Sequence, residues 1–214
     1  MSASKHSAEL VIDHLMWIVP DLDQGVVELE RLSGFTARAG GAHAGRGTRN
    51  ALLSFEGGQY LEILAPDPAQ AVENAQTAAL RSLTAPRLST FCCRGVPLPE
   101  VAQRAQAAGL QTSGPLDYER RRPDGVLLRW QLLFLEGHAF GPLLPFFIDW
   151  GDAPHPAAEA IEPLSLSALT AFSPQPDTLM ALYAALALPV AVEPAAQPGL
   201  QAELQAGART LRLK

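Results

Sequence analysis

His14 and Glu62 are the two side chains of this sequence best placed to do chemistry. His14 interrupts the apolar run Leu10-Val-Ile-Asp-His-Leu-Met-Trp-Ile-Val19, and Glu62 interrupts Tyr60-Leu-Glu-Ile-Leu64. An ionisable group in an apolar strand is costly unless it is paired, hydrogen-bonded or bound to a metal. If the two converge on one cleft, an imidazole and a carboxylate can hold a divalent cation with open positions or move protons as general acid and base. A buried hydrogen-bonded pair with a purely structural role accounts for the same two residues.

Further candidates surround them. The stretch Gly40-Gly-Ala-His43-Ala-Gly-Arg46-Gly-Thr48-Arg49-Asn50 combines glycines with His43, Arg46, Thr48, Arg49 and Asn50. Glycine lets backbone approach a ligand closely, and the arginines and Asn50 offer donors to an oxyanion or carboxylate. A flexible connection with solvated arginines fits equally well. Arg120-Arg-Arg122 precede the turn signal Pro123-Asp-Gly125. One arginine of this run, with Arg122 the candidate, would reach the cleft and pair with an anionic ligand or with Asp149. Trp130 reads as a core or cleft-wall residue. Phe140, Phe146, Phe147 and Trp150 load the same region with aromatics, most of it core packing, with Phe147 a candidate for the pocket. His155 reads as a surface residue, with a distal ligand as the lesser reading.

The elements that would carry these residues repeat. Each of two stretches opens with an apolar strand ending in Val-Pro, at Val19-Pro20 and Val96-Pro97. Each continues into a short amphipathic helix and three more strands. In the first copy, Asp21 is the expected helix N-cap, Asp23–Leu32 the helix and Gly34 its C-cap. Gly57-Gly58 joins two strands as a hairpin. The fold class expected is α+β: paired βαβββ modules forming a cupped mixed sheet around a cleft, with a third, shorter βαβββ-like unit at the C-terminus. The expected divisions are a disordered tail at 1–9, modules at 10–66 and 87–151, a connector at 67–86, a linker at 152–163 and the third unit at 164–214. Within the second module, 116–125 reads as a polar, arginine-rich loop. The third unit would close the sheet or form a homodimer interface.

Composition bounds the rest. The 214 residues are 48% hydrophobic and 18% charged, with a net charge of −6, which describes a globular chain and argues against nucleic acid as a partner. Two adjacent cysteines, Cys92 and Cys93, point to opposite faces of a strand and suit a reducing compartment. Neither a secretory leader nor a membrane-spanning run is read, so a cytoplasmic protein with a small-molecule ligand is expected. No dinucleotide fingerprint, phosphate-binding lysine loop or nucleophile elbow occurs.

In its motifs the chain resembles the glyoxalase-like branch of the vicinal oxygen chelate superfamily. The motifs are Ile12-Asp-His14-Leu, His43-Ala-Gly-Arg-Gly47-Thr-Arg-Asn50-Ala-Leu, Tyr60-Leu-Glu62-Ile, Pro123-Asp-Gly125, Leu128-Arg-Trp130 and Gly141-Pro-Leu-Leu-Pro-Phe-Phe-Ile-Asp149-Trp-Gly, and they cover about 10–156. The resemblance implies a divalent metal (Zn, Mn, Ni or Fe) held by the first and last strands of both modules, with His14 and Glu62 as the first module's ligands. It also implies chemistry through a metal-stabilised enediolate or related oxyanion. Aligning the two Val-Pro pairs sets Phe91 opposite His14, and only Asp149 is available opposite Glu62, so His43 would have to complete a ligand set. Two functions follow. One is a lyase, isomerase or dioxygenase-type enzyme acting on a small carbonyl or carboxylate compound, with Glu62 and His14 catalytic. The other is a metal-free protein that binds or sequesters a small molecule on the same fold.

Overall fold

The structure is a computed structural model that describes residues 9–122, 124–159 and 161–214. Most of the expected N-terminal tail, Pro123 and Ala160 lie outside the described residues.

The first four strands are β1 (Val11–Ile18), β2 (Arg38–His43), β3 (Thr48–Phe55) and β4 (Gln59–Pro66), with helix α1 (Leu22–Ser33) between β1 and β2. α1 begins where Asp21 accepts a hydrogen bond from Gln24 N at 2.9 Å, and it ends at Gly34, whose φ of 83° suits a residue without Cβ. Helix α2 (Ala75–Arg81) follows β4 and carries a capping box between Asn74 and Thr77. The next set is β5 (Arg87–Arg94), α3 (Leu98–Ala107), β6 (Gln111–Arg121), β7 (Leu127–Glu136) and β8 (Phe146–Asp149). A short β9 (Ile161–Glu162) pairs with β3.

These strands form one mixed sheet in the order β2-β3-β4-β1-β5-β8-β7-β6. In each set the first strand runs parallel to the last: β1 beside β4, and β5 beside β8. The sets join where β1 and β5 pair antiparallel. The sheet is strongly curled, so its two ends approach each other: a Cβ added at Gly41 on β2 would lie 2.7 Å from the carbonyl oxygen of Arg121 on β6. Alternate residues along each strand then serve two purposes. Leu15, Trp17, Leu53, Leu61, Ile63, Phe91, Leu133 and Phe147 point into the large apolar core, while His14, Met16, Asn50, Tyr60, Glu62, Phe134 and Phe146 line the cleft inside the curl.

The C-terminal elements are β10 (Ser165–Ser173), α4 (Pro176–Leu186), β11 (Ala191–Pro194), β12 (Gly199–Ala206) and β13 (Arg209–Leu213). This is βαβββ in chain order, as the pattern predicts. Its strand order, β11-β10-β12-β13, places the first strand between the second and third instead of beside the last. Leu169, Leu179, Tyr183, Leu200 and Leu204 pack into the same core as the large sheet, and the Tyr183 hydroxyl donates to Leu143 O.

Two expectations differ from the structure. Residues 116–121 continue β6 instead of forming a loop, because Asp117, Glu119 and Arg121 alternate with Tyr118 and Arg120 along an edge strand with one wet face. The glycine-rich stretch is also mostly strand: β2 runs to His43, which pairs with Thr48 across a four-residue turn.

Candidate functional site

The site starts from a β-bulge. Ile12 pairs with Cys93 and His14 with Cys92, which leaves Asp13 without a partner across the ladder. A bulge bends its strand and re-aims side chains that would otherwise alternate. Here it lets two consecutive residues touch. His14 Nδ1 donates to Asp13 Oδ1 at 2.6 Å, and Nε2 turns toward the cleft, 3.8 Å from Glu62 Oε2. The imidazole stacks on Tyr60 at 4.6 Å between ring centres and meets the edge of Phe146 at 5.5 Å.

Asp13 is fully buried and heavily partnered. Its Oδ2 accepts from His155 Nε2 at 2.8 Å and from Trp150 Nε1 at 3.1 Å, and Arg94 Nε lies 3.0 Å away. His155 Nδ1 accepts from Ala157 N at 3.1 Å, which fixes its proton on Nε2. Burial pushes the Asp13 pKa up, but the hydrogen bonds from His14 and His155 outweigh it and hold the carboxyl well below the usual range. Asp13 is therefore a standing negative charge behind His14. Sequence reasoning set His155 on the surface and gave Asp13 no role, because the contacts that join them are 142 residues apart.

Glu62 is held from the other side. Asn50 Nδ2 donates to Glu62 Oε1 at 2.6 Å, and Asn50 Oδ1 accepts from Arg120 Nη1 at 2.9 Å. His43 Nδ1 bonds Thr48 Oγ1 at 2.9 Å, and its Nε2 lies 3.8 Å from Glu62 Oε1. Burial, with Arg120 and Arg46 nearby, lowers the His43 pKa against the pull of Glu62, so this ring is neutral near pH 7. The cleft encloses about 730 Å³. Its far wall is aromatic: Tyr118 lies 6.3 Å from Trp130, Trp130 lies 5.3 Å from Trp150, and Phe134 stacks on Phe146 at 5.8 Å.

The structure brings together His14, Glu62, His43, Asn50 and Trp130. It leaves the other candidates elsewhere. Arg49 points outward and pairs with Asp23 at 3.1 Å. Arg122 is bound to Asp124 and Glu159 outside the cleft, and the arginine that lines the cleft is Arg120. Phe147 is in the core and Asp149 is exposed, its Oδ1 accepting from Gly151 N. Phe146 and Ile148 take their places on the cleft wall, since a register error of one residue turns every side chain to the other face.

The same one-residue shift corrects Phe91. Pairing of β1 with β5 is symmetric about Leu15 and Phe91: Ile12–Cys93 is mirrored by Trp17–Leu88, and His14–Cys92 by Met16–Thr90. The counterpart of His14 is therefore Thr90. Met16 pairs with Glu62, and its counterpart Cys92 pairs with Phe146, so Phe146 stands in the place of Glu62.

Among the described residues, Asp13, His14 and Cys92 form the cluster of metal-type ligand atoms. Its atoms are already engaged. Asp13 is saturated by its donors, the 2.6 Å contact to His14 is a hydrogen bond, and burial pushes the Cys92 thiol pKa up, against the thiolate a metal needs. No described helix is long and apolar enough to cross a membrane.

Comparison with known proteins places the fold. A sequence model described as a glyoxalase-like domain matches residues 12–187. No curated protein matches the chain significantly. A hypothetical protein from Staphylococcus aureus superimposes with a TM-score of 0.68 at 17% identity, over 95% of this chain and 84% of that one. A hypothetical protein from Bacillus halodurans gives 0.51 at 15% identity, over 68% and 97% of the two chains. Methylmalonyl-CoA epimerase from Mycobacterium tuberculosis gives 0.49 at 21% identity, over 74% and 97%. At these identities the structural likeness concerns the fold.

Proposed function

The chain belongs to the glyoxalase-like domain family, and on that footing we propose that it is a small-molecule enzyme that moves a proton on a carbonyl or carboxylate compound without a resident metal. The observation that carries this reading is His14. Its Nδ1 proton is fixed on buried Asp13, which leaves the Nε2 lone pair facing the cleft, and Asp13 stabilises the imidazolium that forms when Nε2 takes a proton. In the step proposed, Nε2 removes a proton from a carbon next to a carbonyl group. The C–H electron pair moves onto the carbonyl oxygen as an enolate, and the proton then returns to that carbon or a neighbouring one. Glu62, held by Asn50 and 3.8 Å from Nε2, is the second acid–base group. Arg120, whose Nη1 donates to Asn50, has further N–H groups to offer to oxygen charge that develops in the cleft.

The donors present do not complete the ligand set of the resemblance. The four-ligand set that the family resemblance implies would need a ligand at Thr90 and at Phe146, and a phenylalanine has none to give. His43 approaches the opposite oxygen of Glu62 from the one that faces His14.

The experiment is exchange in D2O with a panel of small 2-oxo and 3-oxo acids, read by proton NMR. The reading expects at least one member to lose its acidic C–H signal in the presence of the protein, and to keep it with His14→Ala or Glu62→Gln. Saturable binding with no exchange across the panel would favour the binding-protein alternative.

A further inference from the structure

Arg120 is a buried charge of the cleft with no acid beside it. It lies on β6, 5% exposed, and lines the cavity. Nη1 donates to Asn50, but among the described residues Nε has no hydrogen-bond partner, and no carboxylate lies within ion-pair distance of the group. Glu62 acts on it from further away, through Asn50. The nearby acids at the rim are spoken for: Glu119 pairs with Arg129 at 3.3 Å, and Asp117 accepts from Gln131 at 2.9 Å. A buried guanidinium without an acid is expensive, yet the fold makes room for this one. A Cβ added at Gly40 would lie 2.7 Å from Arg120 Nη1 and 2.2 Å from Asn50 Oδ1, so glycine is what admits the pair.

We infer that Arg120 anchors the carboxylate of an organic acid whose flat, apolar body lies along Tyr118, Trp130, Phe134 and Phe146. This rests on the reading of the cleft as the working site. Tyr118 shares the inward face of β6 with Arg120, and the Arg46 guanidinium covers its ring at 4.3 Å, so aromatic surface and positive charge adjoin. One buried guanidinium amid aromatics suits a singly charged carboxylate, which it can bind through two parallel hydrogen bonds; a phosphoryl group draws on more donors.

The test compares 2-naphthoate with 2-naphthamide, which share an apolar body and differ in charge. Titration calorimetry should show the acid binding the wild-type protein at least about tenfold more tightly than the amide. Arg120→Gln should bring the two affinities together by weakening the acid alone. Because that variant also disturbs a buried network, the wild-type Arg120 Nε–H NMR resonance supplies a second readout: it should move with naphthoate and stay in place with naphthamide. Equal affinities in the wild type, no saturable naphthoate binding, a preference retained in Arg120→Gln, or an unmoved resonance overturns the assignment. Because these readouts are of binding, loss of the proton-exchange result with the acid preference intact defeats the proton-transfer reading and leaves the Arg120 assignment standing.

Discussion

Thr90 stands where the local two-fold of the sheet would place a second His14. The relationship follows from the β1–β5 ladder, which is symmetric about Leu15 and Phe91 and carries an irregularity on each strand. The sheet keeps the symmetry, but the chemistry does not. One half of the sheet carries Asp13, His14 and Glu62, and the other carries Ser89, Thr90 and Phe146.

That asymmetry can be reversed by substitution. Thr90→His combined with Phe146→Glu restores ligand-type side chains at both symmetric places. The double variant is expected to bind Zn or Ni at micromolar concentration by calorimetry, while the wild type shows no binding tighter than about millimolar.

Asp13 has three hydrogen-bond donors and the Arg94 guanidinium around one carboxylate, and its loss has two separable effects. Asp13→Asn keeps the volume but removes the charge behind His14, so proton exchange in the cleft should fall by about 100-fold or more with the fold intact. Asp13→Ala strands the buried His14 and the half-buried Arg94 and His155 without their acceptor. Urea unfolding should show a loss of about 3 kcal/mol.

Stability should fall in two steps as pH drops. The His43 pKa is depressed, so the unfolded chain takes up a proton below about pH 6.5 while the folded chain resists it, and stability declines across that window. The Asp13 pKa is also depressed; its contribution is fully present above about pH 4 and is lost as pH falls below that. Urea midpoints measured from pH 7.5 to 3 check both steps, and His43→Asn should flatten the first.

Gly40→Ala tests the packing of the Asn50–Arg120 contact. The added Cβ meets both side chains below van der Waals distance, so about 1–3 kcal/mol of stability should be lost. Naphthoate affinity should weaken alongside it.

Much of this architecture was legible from local signals. Asp21 and Gly34 mark the ends of α1 because capping is a matter of neighbouring residues. Gly57-Gly58 marks the β3–β4 hairpin, and the C-terminal elements follow from their periodicity. His14 and Glu62 stood out because ionisable residues rarely occur in apolar strands. What could not be read was set by pairing at long range. The bulge at Asp13 exists only against β5, so the Val-Pro pairs misaligned the modules by one residue, and Phe91 and Asp149 were assigned in place of Thr90 and Phe146. Arg120 was hidden in an arginine run that reads as a solvated loop, although the alternation of Tyr118 and Arg120 with charged neighbours was a strand signal open to being found.

The most direct measurement is the rate of proton exchange by protein stripped with EDTA, compared with the same protein supplied with Zn, Mn, Ni or Fe. If Asp13 and His14 drive the step, the stripped wild type retains its rate, added ions leave it unchanged, and His14→Ala loses about 100-fold. Activity that vanishes on stripping and returns with an ion, or that survives in His14→Ala, contradicts the account.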